Sequence, residues 1–263
     1  MNDKPKTGET NARLWGARAR DWANQQEAHV RPAYVAIMER FVEPGSAALD
    51  VGCGSGAAAQ VAAEKGASVY GIDAAEPMIV IARTRVPDGD FRVGDLEDLP
   101  YPDAQFDLVT GFNAFQYAGN PVRALAEARR VSKPDAYIVI VTWGPPENMP
   151  AASLVKALGP LLPPPPPGAP GPFALSDETT LRALASQAGL TPLEILDVDC
   201  PFVYPNLDAA LAGLGSSGVA ERARNHSGQD AVDDAHKKVL ASFCRPDGSY
   251  HIGAVFRCLI ARR

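Results

Sequence analysis

The chain has 263 residues, 46% of them hydrophobic and 21% charged, a globular composition that excludes a largely disordered protein and supplies a sizeable core. Its 25 basic and 31 acidic side chains leave a net charge of −6, so no global attraction to a phosphate backbone exists and no nucleic-acid partner is expected. No apolar run approaches the ~20 residues of a membrane span, and the polar start has no apolar signal core, so neither membrane insertion nor a signal peptide is expected. Cys53, Cys200, Cys244 and Cys258 form no C-x-x-C pair. They suit a reducing cytoplasm better than a disulfide framework or a zinc site, and no metal is expected.

Residues 1–10 are polar and read as a frayed end. Leu14, Trp15, Arg18 and Trp22 share one helical face over 11–26, and a second helix runs from Pro32 to about Phe41. Strands and helices then alternate. Residues 47–50 form a buried strand entering a glycine loop, 57–65 an Ala-rich helix closed by Gly66, and 68–72 a second strand. Asp73-Ala-Ala-Glu76 reads as a capping box opening a helix to about Arg85. Strands follow at 91–93 and 106–112, and Asn120-Pro121 caps a helix reaching Ser132. A fifth strand spans 137–142. Residues 144–175 hold 11 of the 24 prolines and read as an irregular insertion with one short helix near 152–158. Ser176-Asp-Glu opens a helix that Gly189 stops. A strand at 193–199, two or three short helices over 205–244 and a final strand at 250–261 complete the chain. The alternation predicts an α/β fold, doubly wound and Rossmann-like, with helices on both faces of a parallel sheet and ligands beyond the carboxyl ends of its strands.

The strongest local signal is Leu49-Asp-Val-Gly52-Cys-Gly54-Ser-Gly56, a strand-to-helix turn whose glycines let a ligand approach the backbone. Gly52-x-Gly54-x-x-Ala57 also fits the loose dinucleotide fingerprint, with Asp73 at a suitable distance for a ribose. Asp50 argues against that reading. A carboxylate beside the loop repels a pyrophosphate but suits a ligand carrying ammonium and sulfonium charges.

Four ordered segments, LDVGCGSG, GID, GDLEDLPYPDAQFDLV and ALAEARRVSKP, make residues 46–143 resemble the class I S-adenosylmethionine-dependent methyltransferases. The likeness is to the small-molecule branch similar to the ubiquinone and menaquinone C-methyltransferases. The resemblance implies a seven-stranded, mostly parallel sheet of order 3-2-1-4-5-7-6 and an added helical cap. The whole chain would be one methyltransferase domain, with core 44–143, 176–200 and 249–263 and cap segments 1–43, 144–175 and 201–248.

It further implies S-adenosyl-L-methionine as cofactor. Asp50 with Gly52, Gly54 and Gly56 would hold the methionine moiety, and Asp73 both ribose hydroxyls, helix capping being compatible with that role. Asp95 would accept from the adenine amino group, with the Leu96 amide on the ring, or be an ordinary loop carboxylate. Met78 would pack on the adenine face or fill the core. Phe112 and Asn113 would flank the aminocarboxylate and sulfur, an Asx turn being the alternative for Asn113. Where relatives carry Lys-Pro-Gly-Gly this chain has Lys133-Pro-Asp135-Ala136, and Asp tolerates the left-handed turn. Where relatives often carry His it has Gln116-Tyr117, so no base is inferred there.

The implied reaction is methyl transfer to a small organic molecule by in-line displacement. A rearrangement or decarboxylation using the same cofactor, a nicotinamide-dependent oxidoreductase and a non-catalytic binding module are the rivals. Of the four histidines, His29 ranks first as a base because it lies near the N-terminal helices. His236, in Asp-Asp-Ala-His-Lys-Lys, reads as a solvated helix face, His226 as a loop residue and His251 as flanking the last strand. Trp15, Trp22, Tyr34, Gln116, Trp143 and Tyr250 are candidates for an apolar substrate wall. The expected state is a cytoplasmic monomer or homodimer.

Overall fold

A computed structural model describes residues 7–164 and 173–263. The early part of the proline block, Pro163 and Pro164, falls within these residues, whereas the expectations for 1–6 and 165–172 lie outside them. Five strands pair in parallel as β3-β2-β1-β4-β5: β1 (Ala47–Val51), β2 (Ser68–Asp73), β3 (Asp90–Val93), β4 (Phe106–Phe112) and β5 (Ser132–Trp143). Strand β6 (Thr191–Asp199) is the far edge. The last strand of the chain, β9 (Val255–Arg262), lies antiparallel between β5 and β6. The sheet order is therefore the one expected, with the seventh sheet strand in chain order lying inside the sixth. Strands buried on both faces read as apolar runs, and β5 is fully buried over Ile138–Val141.

Helices cover both faces. On one side α3 (Arg31–Phe41), α4 (Ala57–Glu64) and α5 (Glu76–Arg85) contribute Ile37, Ala62 and Ile79 to a core with Leu108 and Val139. On the other, α6 (Pro121–Val131) and α8 (Glu178–Gln187) contribute Leu125, Ala128 and Leu181 to a core with Leu49, Phe106 and Ile138. Helix α6 follows from its sequence. Asn120 Oδ1 accepts from the Arg123 amide at 3.2 Å, Pro121 opens the helix, and Ala124, Leu125, Ala128 and Val131 form the buried stripe.

Several local expectations differ. The helix expected over 11–26 is broken. Helix α1 (Gly8–Gly16) stops, Arg18 takes φ −132° and ψ 40°, and a short α2 (Ala19–Asp21) continues as a π turn (Trp22–Gln26) and a 3₁₀ turn (Glu27–Val30). The Asp73 capping box does not form. Helix α5 begins at Glu76, and Asp73, ending β2, accepts from the amides of Ala75 at 2.8 Å and Gly54 at 2.9 Å. Asp177, not Ser176, caps α8. Asp135 does adopt the left-handed turn, at φ 63°.

The strand expected over 250–261 splits. Residues Tyr250–Ile252 form β8, which leaves the main sheet and pairs antiparallel with β7 (Phe202–Tyr204). Over 152–243 the further helices are α7 (Ala152–Ala157), α9 (Leu207–Gly215), α10 (Gly218–Ser227) and α11 (Gln229–Leu240).

Candidate active site

Strand order reverses between β1 and β4, so their following loops diverge and open a crevice at their carboxyl ends. The β1 loop enters it with Gly52 at φ 71°, where an added Cβ would stand 2.5 Å from the Ala114 Cβ after β4. A side chain there would force the two loops apart, so the close approach needs glycine. At Gly54 a Cβ would meet the Glu27 carboxylate at 2.9 Å. Across β4, Asn113 has φ 53°, donates its amide to the Val141 carbonyl at 2.8 Å, and accepts from Gln116 Nε2 at 2.7 Å.

The carboxylates of this end sit in different environments. Asp73 lines the cavity, and burial raises its pKa against the opposing pull of the Ala75 and Gly54 amides. Asp50 lies beneath the loop, and its Oδ1 accepts from Thr110 Oγ1 at 2.8 Å. Burial pushes its pKa up to about 7, helped by the charges of Glu27 and Asp73 and opposed by the Thr110 hydrogen bond. Asp95 lines the cavity, accepts from the Glu97 amide at 2.9 Å, and is approached by the start of α1, where a Gly8 Cβ would lie 3.2 Å from Oδ2.

Glu97 of that motif is structural. Buried Glu97 accepts from the Asn120 amide at 2.9 Å, and Arg130 binds the Leu99 and Tyr101 carbonyls at 2.9 and 2.8 Å.

The N-terminal segment closes over this end. Thr7 Oγ1 and Asn11 Nδ2 both donate to the Tyr117 carbonyl at 2.9 Å. Trp15 packs edge-on against Trp22 at 5.0 Å and Tyr117 at 5.4 Å. Buried Glu27 fastens the segment to the glycine loop. It accepts from the Ser55 amide at 3.1 Å and the Ser55 hydroxyl, and Arg85 Nη1 reaches Glu27 at 2.7 Å and Ser55 Oγ at 2.8 Å.

One cavity runs from the glycine loop beneath this cover into an apolar chamber. It brings together Gly52, Gly54, Asp73, Met78, Asp95 and Leu96 with Phe112 and Asn113. Of the substrate-wall candidates it includes Trp15, Trp22, Tyr34 and Trp143. Tyr34 stands edge-on to Phe112 at 4.7 Å, and Trp143 stacks on Phe256 at 4.9 Å.

Five candidates lie outside its lining. Asp50 is beneath the loop. A Cβ on Gly56 would meet the Ala82 Cβ at 3.0 Å, so this glycine serves the packing of α4 on α5 rather than a ligand. Gln116 is tied to Asn113. Tyr250 is buried in β8. His29 is the clear correction: its Nδ1 contacts the Gln26 carbonyl at 3.0 Å and its Nε2 the Val203 carbonyl at 2.9 Å. Both ring nitrogens are thus turned to backbone carbonyls rather than to the cavity.

His236 is the opposite correction. It is 2% exposed and lines the cavity. The signal was present in the spacing, since Val232, His236 and Leu240 form the buried stripe of α11, but the adjacent charges masked it. Gln26 and Glu27 were also missed, because Gln25-Gln26-Glu27 carries no local sign of burial.

Residues 49–140 match the family profile described as a methyltransferase domain. The demethylmenaquinone methyltransferase of Renibacterium salmoninarum is 35% identical over 120 residues, 44% of this chain and 51% of that one. The ubiquinone biosynthesis O-methyltransferase of Hahella chejuensis is 35% identical over 111 residues, 40% and 47% of the two chains. The chain thus spans about half the length of the curated relatives it matches. Among solved structures, the [4+2]-cyclase SpnF shares the fold over 98% of this chain and 96% of its own, with a TM-score of 0.61 at 20% identity. A putative methyltransferase from Bacillus halodurans does so over 87% and 97%, with a TM-score of 0.56 at 18% identity. The fold is the Rossmann-like one of class I methyltransferases. Over residues 49–140 the chain is thus similar to a methyltransferase domain, and the relatives matched there are named as methyltransferases.

Proposed function

We propose that this protein transfers the methyl group of S-adenosylmethionine to a small, largely apolar organic molecule. The observation that carries the reading is one continuous cavity, with glycines and carboxylates at one end and an aromatic and aliphatic chamber at the other. The residues present fit the cofactor. Asp73, on the cavity wall at the end of β2, suits a ribose diol because a carboxylate accepts two donors. Asp95 and the Leu96 amide suit the adenine edge, and Ile72 and Met78 its faces. Gly52, Gly54, Phe112 and Asn113 suit the methionine end, with Asp50 acting from beneath the loop.

When bound, the sulfonium supplies an activated methyl group and a neutral leaving sulfur. The chain contributes alignment, by fixing acceptor and donor ends in one cavity, and exclusion of water, through α1 and the Trp22–Val30 segment. In this reading residues 44–143, 176–200 and most of 249–263 are the catalytic core and the remainder the cap, in a cytoplasmic monomer or homodimer. The four free cysteines support the reducing setting.

Incubation with methyl-labelled S-adenosylmethionine and a panel of apolar hydroxylated, aminated and unsubstituted acceptors should yield labelled product and S-adenosylhomocysteine in equal amounts. Converted acceptor with the cofactor recovered intact would overturn the reading.

A further inference from the structure

The apolar end of the cavity contains one titratable group that no contact accounts for. His236 is 2% exposed, it projects from α11 into the lining, and its Nδ1 is buried without a hydrogen-bond partner among the described residues. A buried polar atom left unpaired costs about 1–3 kcal/mol, so natural folds keep few of them without a reason. The same cavity is lined by Trp143, Leu154, Leu158, Phe202, Val219 and Phe256. No lysine or arginine lines the cavity among the described residues, and its carboxylates, Asp73 and Asp95, are at the glycine-loop end.

Two chemical consequences follow. A carboxylate, phosphate or ammonium group entering the chamber would lose its hydration without gaining a counter-ion. A neutral molecule presenting one hydroxyl, able to donate or accept, would give the imidazole the partner that its buried Nδ1 lacks among the described residues. Burial also lowers the pKa of His236 to about 4, the nearby charge of Arg224 adding to this and that of Asp233 opposing it. The ring is therefore neutral and able to accept.

Resting on the methyltransferase reading, we propose that His236 is the group that receives the acceptor's proton, and that the acceptor is a neutral, apolar, hydroxylated molecule methylated on oxygen. An oxygen lone pair forms the new C–O bond as the S–CH₃ bond breaks, and the sulfur keeps that bond's electron pair as a neutral thioether. The hydroxyl proton passes to the imidazole, which returns it to water when product leaves.

The test begins without cofactor. Binding of 2-naphthol, its methyl ether and 2-naphthoate to the wild-type protein is measured by calorimetry, and the histidine ring nitrogens are followed by ¹⁵N NMR. Naphthol should bind at least tenfold more tightly than either analogue and shift one imidazole signal, which is missing from the spectrum of His236→Phe. That variant should lose the preference while keeping S-adenosylhomocysteine affinity. Equal affinities, no binding, or an unmoved imidazole signal would overturn the proposal, and the last can be read on wild type even if the variant does not fold. Loss of S-adenosylhomocysteine binding by the wild type would instead strike the methyltransferase reading itself. With cofactor, His236→Phe should cut kcat at least a hundredfold, and a primary amine acceptor should not replace the phenol.

Discussion

A carboxyl group buried without a cation keeps its proton to a higher pH, and Asp50 has one hydrogen bond, from Thr110, to set against burial and two neighbouring carboxylates. The folded pKa of about 7 stands above the ordinary value of 3.8. Between those values the native state binds more protons than the unfolded chain, so Asp50 contributes its full stabilisation below pH ~4 and loses it as pH rises through 7. Asp50→Asn should flatten the fall in unfolding free energy between pH 5 and 8, measured by urea denaturation against wild type. Parallel curves for the two proteins would show that Asp50 is ionised in the fold.

Asp73 is distinguished by facing the cavity with both oxygens already oriented by loop amides. Asp73→Ala should weaken S-adenosylhomocysteine binding by about 1.5–3 kcal/mol, roughly tenfold to a hundredfold, the range for a charge-assisted hydrogen bond. Unchanged affinity in calorimetry would remove it from the cofactor site. That Asp73, Asp95, Gly52, Gly54 and Asn113 line one cavity was legible because they sit at fixed offsets from strands that the sequence marks clearly, whereas Asp50 and Gly56 lie outside its lining. His29 and His236 were not legible, since the pairing of a histidine depends on segments distant in sequence, Val203 for the one and the cavity wall for the other.

Among the elements, the N-terminal segment departs furthest from its own periodicity. The spacing of Trp15 and Trp22 suggests a continuous helix, yet the chain breaks at Arg18 and continues through a π turn. The break lets Trp22 and Gln26 line the cavity while Glu27 reaches Ser55 and Arg85 behind it. Helix propensity supplies only a few tenths of a kcal/mol per residue, so tertiary packing readily overrides it here. Helix α1 is held to the loop after β4 by Thr7 and Asn11 on one carbonyl. Replacing both, Thr7→Val with Asn11→Ala, should lower the melting temperature by no more than roughly 4–8 °C and raise the S-adenosylhomocysteine dissociation rate by up to about thirtyfold in stopped-flow measurements, two ordinary hydrogen bonds being worth ~1 kcal/mol each. An unchanged rate would mean that α1 does not gate the cavity. The final strand shows the same priority of contact over pattern: its apolar run is continuous in sequence, but Gly253 and Ala254 divide it between two sheets.

For the whole molecule, cofactor and fold are linked. A ligand bound only by the native state at a hundred times its Kd adds about 2.7 kcal/mol, which in a domain of this size moves the melting point by roughly 5–10 °C. S-adenosylhomocysteine should produce such a shift in thermal scans and NAD should not, and the reverse would favour the dinucleotide reading that the glycine loop alone permits.

The sequence by itself determined the alternating βαβ core, because local periodicity and capping act within a few tens of residues, while its strand order and the candidate cofactor-side residues came from the family resemblance that its motifs carry. Only the tertiary structure decided what faces the reaction. Segments from the two ends of the chain and from the insertion meet over the sheet, and their packing turns a histidine flanked by charges into a buried base while closing the ring of His29 onto two carbonyls. Burial is a property of the assembled chain, and burial sets whether a polar group is solvated, paired or left free to accept a proton.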